Sequence, residues 1–358
     1  MSTPHILVTG ATGFIGRFLL AQLLAQGERV VVLLRRPEPQ MAELQAWLAA
    51  RGIDSHGLTA IQGDLAQPQA GISDWAALCA IDTLYHTGAL FAWGLSAATA
   101  RQVNVLGTQQ LITALQTRSR LQRVIGLSGY MLTMHHHLSQ AGVQLERPAT
   151  TDWAQVYGRL GAYEASKIEA HFALIETCNR LGVAWTIVHP ATVVGHSQTG
   201  EIFAHQQFSQ LLTQLKEGKL AAIPATPAHR LPLVCVDDLV DVMIAASHDP
   251  HTIGQELLVA DAQTPNLATV LEWAAAMMQV NAPKRYVPLR VLGVLLRWRW
   301  LAKQLNMSAE MLHFLRTEPL DTTLTDALRQ RQGLMQPNLQ QAVQHTALGL
   351  GGDRAINL

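Results

Sequence analysis

The run HILVTGATGFIGRFLLAQLLAQGERVVVLLRR, residues 5–36, constrains the fold more than any other part of the chain. Ile6 to Thr9 is short, apolar and β-branched, and a glycine follows it, so it reads as a buried strand. From Phe14 the apolar residues Phe14, Ile15, Phe18, Leu19, Leu23 and Leu24 recur at roughly helical spacing, and Gly27 stands where a helix C-cap belongs. Gly10, Gly13 and Gly16 therefore fall on the strand-to-helix turn and the first helical turn, with Thr12, Phe14 and Ile15 among them. Without Cβ atoms these glycines allow a tight turn, close approach of a pyrophosphate, and close packing of helix on strand. The helix start then directs free N–H groups and a positive dipole end at the phosphates. A strand before the triplet, a helix after it and a second strand, Arg29 to Leu34, set it apart from a purely structural turn.

In such a unit the end of the second strand faces the adenosine ribose, where an acidic residue suits NAD and an arginine accommodates a 2′-phosphate. Here Leu34 is followed by Arg35 and Arg36, with no acid before Glu38. A fork of donors suits a phosphate, so the pattern favours NADP (as NADPH), with NAD as the possible alternative cofactor. The competing reading is two solvated loop arginines.

Strand-like runs recur with helical patterns between them: Ile6–Thr9, Arg29–Leu34, Leu58–Gln62, Thr83–His86, Arg123–Leu127, Ala184–His189 and Glu256–Val259. That alternation predicts an α/β fold with a doubly wound parallel sheet. The pattern breaks after Val194 and returns at Leu233–Val236, with a helix from Asp237. We therefore expect a nucleotide-binding domain over 1–194 with a return at 233–262. A smaller, mostly helical substrate lobe would come from 195–232 and 263–358, and a cleft at the carboxyl ends of the strands would receive the substrate.

With 26 basic and 26 acidic residues the chain lacks the basic footprint of a nucleic-acid binder. Cys79, Cys178 and Cys235 are scattered and carry no zinc, redox or disulfide spacing. The first strand begins almost at once, and no apolar run is long enough to cross a membrane. The expectation is a cytoplasmic protein with neither leader, membrane span nor metal.

The second informative stretch is GAYEASKIEAH, residues 161–171. Tyr163 and Lys167 are four apart and share a helix face. A neighbouring ammonium favours the phenolate, which would let Tyr163 exchange a proton with a substrate oxygen near neutral pH. Ser128, just past the fifth strand, is placed to hold and polarise that oxygen. The plain alternative is a loop serine satisfying backbone groups.

Taken in order, TGATGFIG (9–16), GDL (63–65), YHTGA (85–89), NVLGTQQL (104–111), Ser128, YEASK (163–167), HPATVVG (189–195) and VDDL (236–239) resemble the extended short-chain dehydrogenases/reductases, the NAD-dependent epimerase/dehydratase superfamily. They cover roughly the first 260 residues. The chain looks closest to thioester-reductase-like and fatty-acyl-reductase-like members, through RRPEPQMAELQAW, QGDLAQPQAGIS and the run from SQTGE to LVCVDDL. The resemblance implies a Rossmann-type sheet, Asp64 and Leu65 at the adenine, and Gly88 and Ala89 beside the cofactor. It also implies Tyr163 as general acid/base, Lys167 on the nicotinamide ribose, Ser128 orienting the carbonyl, and Pro190 and Val193 near the nicotinamide amide. Asn104 either supports a relay water or pins a helix. A homodimer packed through helices of the nucleotide domain is a further implication. Two positions depart from the pattern: Gly129 replaces a second Ser or Thr, and His189 stands where many relatives carry arginine, read here as a packing choice.

His135, His136 and His137 read as a surface or cleft-lining loop, since adjacent loop histidines cannot easily ligate one metal together. Residues 290–305, with Arg290, Arg297, Arg299 and Lys303, read as an amphipathic helix closing the substrate lobe. The alternative is a docking face for a membrane or an acyl carrier protein. The expected function is NADPH-dependent reduction of a hydrophobic ketone, aldehyde or acyl thioester. A sugar-nucleotide epimerase or dehydratase using bound NAD(P), and a non-catalytic NADP sensor, are the alternatives.

Overall fold

The computed structural model describes residues 5–90, 95–220, 222–224, 226–287 and 315–350. Strand β1 (Ile6–Thr9) leads through the glycine turn into helix α1 (Phe14–Ala25), followed by β2 (Val30–Leu34), α2 (Pro37–Ala49), β3 (Leu58–Gln62) and β4 (Thr83–His86). A helical stretch comes next: α3 (Ala97–Arg101), a wider π-helical turn over Gln102–Leu106, and α4 (Gly107–Arg118). Then follow β5 (Arg123–Leu127), α5 (His135–Ala141), α6 (Trp153–Leu160), α7 (Ala162–Leu181) and β6 (Ala184–Pro190). The rest comprises β7 (Thr192–Val194), α8 (Gln207–Lys216), β8 (Ile223–Pro224), β9 (Leu233–Cys235), α9 (Val236–His248) and β10 (Gln255–Val259). After these come α10 (Leu267–Met278), β11 (Tyr286–Val287), α11 (Thr323–Gln332) and α12 (Leu339–Gly349).

Seven strands form one parallel sheet in the order β10-β6-β5-β4-β1-β2-β3. The chain winds outward from β1 in one direction to β3 and in the other to β10, as the alternation of strand and helix patterns predicts. Register aligns the carboxyl ends: Thr9 sits beside both Leu33 and His86, His86 beside Gly126, and Leu127 beside Val188. The residues that leave β1, β4, β5 and β6 therefore emerge along one edge. Strand residues such as Leu7, Val31, Leu84, Val124 and Ile187 pack with Leu111, Leu115 and Leu174 from the helices in a buried cluster. α2 packs on α1 through aromatic edges, with Phe18 5.5 Å from Phe14 and 5.4 Å from Trp47 between ring centroids.

The chain divides into two compact units, Met1–His189 with Val240–Leu257, and Pro190–Leu239 with Leu258–Leu358. The first boundary lies at His189, earlier than Val194, because β7 leaves the large sheet and pairs with β9. For the same reason Leu233–Cys235 does not rejoin the large sheet, although its sequence is strand-like. In the second unit α10 packs against α12, and the buried Arg329 of α11 binds Asp238 at 2.7 Å. Residues 290–305 lie outside the described residues.

Two glycines test the packing logic. A Cβ on Gly16 would lie 2.1 Å from the Gly10 carbonyl oxygen, whereas one on Gly158, in α6, would meet nothing within 4 Å. Gly16→Ala should destabilise the protein by about 2 kcal/mol or more, as overpacking does. Gly158→Ala should stabilise it by about 0.5–1 kcal/mol through helix propensity. Denaturant midpoints of the two variants check both signs.

Candidate active site

The glycine turn is a cradle without room for side chains. Gly10 has φ +73, and a Cβ there would fall 2.7 Å from the Gly88 nitrogen. Gly13 precedes α1 and supplies no side-chain cap to its first turn. Thr9 ties this turn to the end of β4: its Oγ1 accepts from the Gly88 N–H at 3.1 Å, and its carbonyl accepts from the Thr87 hydroxyl at 2.7 Å. Beneath the turn, the buried Arg17 donates from Nε to the Thr12 carbonyl at 3.0 Å and pairs with Glu43 of α2. Arg17 was not singled out by sequence reasoning; its place directly after Gly16, on the buried side of α1, is the only trace it leaves there.

At the ends of the next strands, Arg35 and Arg36 are exposed and make no ion pair among the described residues. Asp64 follows β3 and accepts the Ala66 N–H at 3.0 Å. Leu65 presses its carbonyl against α4, where a Cβ on Gly107 would come within 2.3 Å.

A cavity in the first unit is lined by Gly88, Ala89, Asn104, Ser128, Lys167, His86 and His171, among others. Five expected site residues meet there. The Ser128 Oγ is buried and has no hydrogen-bond partner among the described residues. The Lys167 ammonium donates to the Leu127 carbonyl at 3.4 Å, and burial lowers its pKa to about 8. Tyr163 stands one turn before Lys167, at the start of α7. Burial, then the adjacent Glu164 carboxylate, hold its phenol above the ordinary tyrosine value. The expected downward push from Lys167 is not the dominant effect, because desolvation disfavours charge on both groups. Pro190 and Val193 belong to the second unit and do not line this cavity.

Asn104 lies in the π-helical turn, a feature frequent at functional sites. Its Oδ1 accepts from the Leu90 N–H at 2.7 Å, and its Nδ2 donates to the Ser166 hydroxyl at 2.9 Å. Ser166 donates in turn to the Tyr163 carbonyl at 2.9 Å. Asn104 thereby ties the segment after β4 to the Tyr163 turn. The His135–His137 stretch is the start of a helix rather than a loop, and His137 bonds Glu164 at 2.7 Å. His189 does more than pack: it bonds the Gly129 carbonyl at 3.1 Å and Glu256 at 2.7 Å.

His86, within the YHTGA run, is central and carries no sequence signal of its own. Its Nδ1 faces the Thr9 hydroxyl at 2.9 Å and its Nε2 the Thr108 hydroxyl at 2.8 Å. Burial, then the charge of Lys167, lower its pKa to about 4. His171 is likewise lowered to about 4, chiefly by burial. Both values lie below the unfolded one, so the unfolded chain binds these protons first. Stability is then fully present above about pH 6.5 and falls as the pH drops toward 4, by on the order of 1 kcal/mol per pH unit for each ring. Calorimetric melting points between pH 4 and 7 should show that decline, and His86→Gln should make it shallower.

Comparison with known proteins adds the family. The model of the NAD-binding family described as "Male sterility protein" matches residues 8–243. The L-2-aminoadipate reductase large subunit of Penicillium chrysogenum is 27% identical over 272 residues, which is 71% of this chain but 19% of that protein. The chain thus spans about a fifth of that relative's length. Sterol demethylase protein B of Methylococcus capsulatus is 26% identical over 291 residues, covering 80% of this chain and 78% of the relative. Among solved structures, the terminal R domain from the myxalamid PKS-NRPS biosynthetic pathway superposes with a TM-score of 0.74 at 24% identity, covering 98% of this chain and 90% of that one.

Proposed function

Because the chain belongs to the NAD-binding "Male sterility protein" family, as an extended short-chain dehydrogenase/reductase of thioester-reductase-like type, we propose that it uses NADPH to reduce the carbonyl of a hydrophobic ketone, aldehyde or acyl thioester. The chain is an NAD(P)-dependent enzyme; the choice of NADPH, the substrate class and the roles below are our reading. The observation that carries it is the cavity that joins the unpartnered Ser128 hydroxyl and the Lys167 ammonium to the Gly88 backbone of the glycine cradle.

The residues fit a dinucleotide on structural grounds. The cradle has no volume for Cβ atoms at Gly10 and Gly16, and the exposed Arg35 and Arg36, without an ion pair among the described residues, follow the end of β2, where a ribose 2′-phosphate would lie. A dihydronicotinamide bound there would supply the hydride. Ser128 donates its free hydroxyl to the substrate carbonyl oxygen, which polarises the carbonyl and fixes its face. Tyr163, kept protonated by its buried setting, gives its phenolic proton to that oxygen as negative charge develops. Lys167, charged below about pH 8, stabilises the phenolate that results. Asn104 and Ser166 hold the Tyr163 turn still while this happens. A thioester presented by an acyl carrier protein belongs to the same substrate class.

Tyr163→Phe should lower kcat by at least ~10²-fold while fluorescence still reports NADPH binding; retained turnover contradicts the assigned role. In the unaltered enzyme, kcat should fall as the pH rises through about 8 and Lys167 loses its charge. A profile flat to pH 10 would speak against that part. Arg35→Ala with Arg36→Ala should raise KM for NADPH by roughly tenfold or more, the worth of lost charge-assisted bonds, and leave KM for NADH unchanged.

A further inference from the structure

His189 stands next to last in β6 with its ring buried. Its Nδ1 lies 3.1 Å from the carbonyl oxygen of Gly129, the residue after Ser128. Its Nε2 lies 2.7 Å from Oε2 of Glu256 on β10. A carbonyl oxygen only accepts, so Nδ1 carries the hydrogen of the first bond. Glu256 is held as a carboxylate: burial works to raise its pKa, but the hydrogen bond from His189 leads the effects that keep it below the usual value. A carboxylate also only accepts, so Nε2 carries a hydrogen as well. The ring is a strut that donates at both ends.

Three ligand-type atoms, from His171, His189 and Glu256, lie within 4.8 Å of one another. A proton accounts for the geometry better than a metal. Two donors bound to one zinc at ~2.0–2.1 Å in tetrahedral array stand about 3.3 Å apart, whereas 2.7 Å between His189 and Glu256 is the length of a charge-assisted hydrogen bond. His171 Nε2 is 3.6 Å from the same oxygen, beyond hydrogen-bond reach.

The strut acts on the backbone that carries Ser128. The Ser128 N–H donates to the Val188 carbonyl at 2.9 Å, and the carbonyl of Gly129, the following residue, accepts from His189. Strand β6 thus grips the chain on both sides of the serine. Gly129 has no side chain with which to anchor itself, and a Cβ there would fall 2.6 Å from the Met131 sulfur. We infer that His189 and Glu256 are positioning residues for Ser128: Glu256 holds the His189 ring in its doubly donating form, and the ring fixes the Ser128–Gly129 turn so that the serine hydroxyl meets the substrate oxygen. This rests on the role given to Ser128 in the proposed function.

Two measurements on the full chain test it. The first is ¹⁵N NMR of the histidine rings at pH 7.5, with His189 assigned by its loss in His189→Gln. The His189 ring should carry hydrogens on both nitrogens, and Glu256→Gln should remove one; a singly protonated ring in the unaltered protein overturns the strut. One equivalent of zinc in the purified protein does so too. The second is a double-mutant cycle with NADPH and octanal. Glu256→Gln should lower kcat about tenfold, as a small misplacement of a catalytic group does, with melting point and NADPH affinity kept. It should cause no further loss in a Ser128→Ala background. Independent, multiplying losses overturn positioning through Ser128. Full activity of Ser128→Ala instead contradicts the role of the serine itself, and so separates the two claims.

Discussion

The loop after β1, the first turn of α1 and the loop after β4 meet backbone to backbone, with no space for a Cβ at Gly10 or Gly16. That contact sets how closely α1 approaches the sheet and where its N-terminus points. It also brings Gly88, and with it the end of β4, to the rim of the cavity that holds Ser128 and Lys167. Thr9 completes the joint with bonds to Thr87, Gly88 and His86. Since register carries the ends of β5 and β6 to the same edge, the glycine turn and the cavity lined by Ser128 and Lys167 are joined through glycine-lined backbone.

Much of this was legible in the sequence because it is written locally. The β1 turn, the alternation of strand and helix, and the Tyr163–Lys167 spacing each depend on residues within one turn or one unit. The parts that escaped are held by distant partners. His171, His189 and Glu256 come from α7, β6 and β10, and nothing in their neighbourhoods marks them as a cluster. The separate β7–β9 pair escaped because strand propensity says nothing about which sheet a strand joins. The helix at His135 escaped because Met134 before it offers no capping side chain and only Leu138 and Ala141 are buried along it. The direction of the Tyr163 shift escaped because spacing reveals a neighbouring charge but not burial.

Histidine carries an unusual share of the polar structure around the cavity. His86 links β1, β4 and α4 as a buried neutral ring. His137 reaches Glu164 beside the tyrosine, and His189 joins Gly129 to Glu256. Rings of this kind can serve as donor, acceptor or both, which suits a site where backbone carbonyls and hydroxyls converge. The cost is sensitivity to acid at His86 and His171, whose buried neutral rings resist protonation only while the fold excludes water.

Net consumption of reduced cofactor with an apolar carbonyl is what separates a reductase from an enzyme that recycles its cofactor. The direct measurement is nicotinamide absorbance with the purified protein and NADPH or NADH, against medium-chain aldehydes, ketones and acyl thioesters, with sugar nucleotides in parallel and products identified by mass. A reductase oxidises one NADPH for each ketone or aldehyde reduced, and one NADPH with release of one thiol for each thioester reduced to the aldehyde. An altered sugar nucleotide with no net NADPH consumption would contradict the reductase reading.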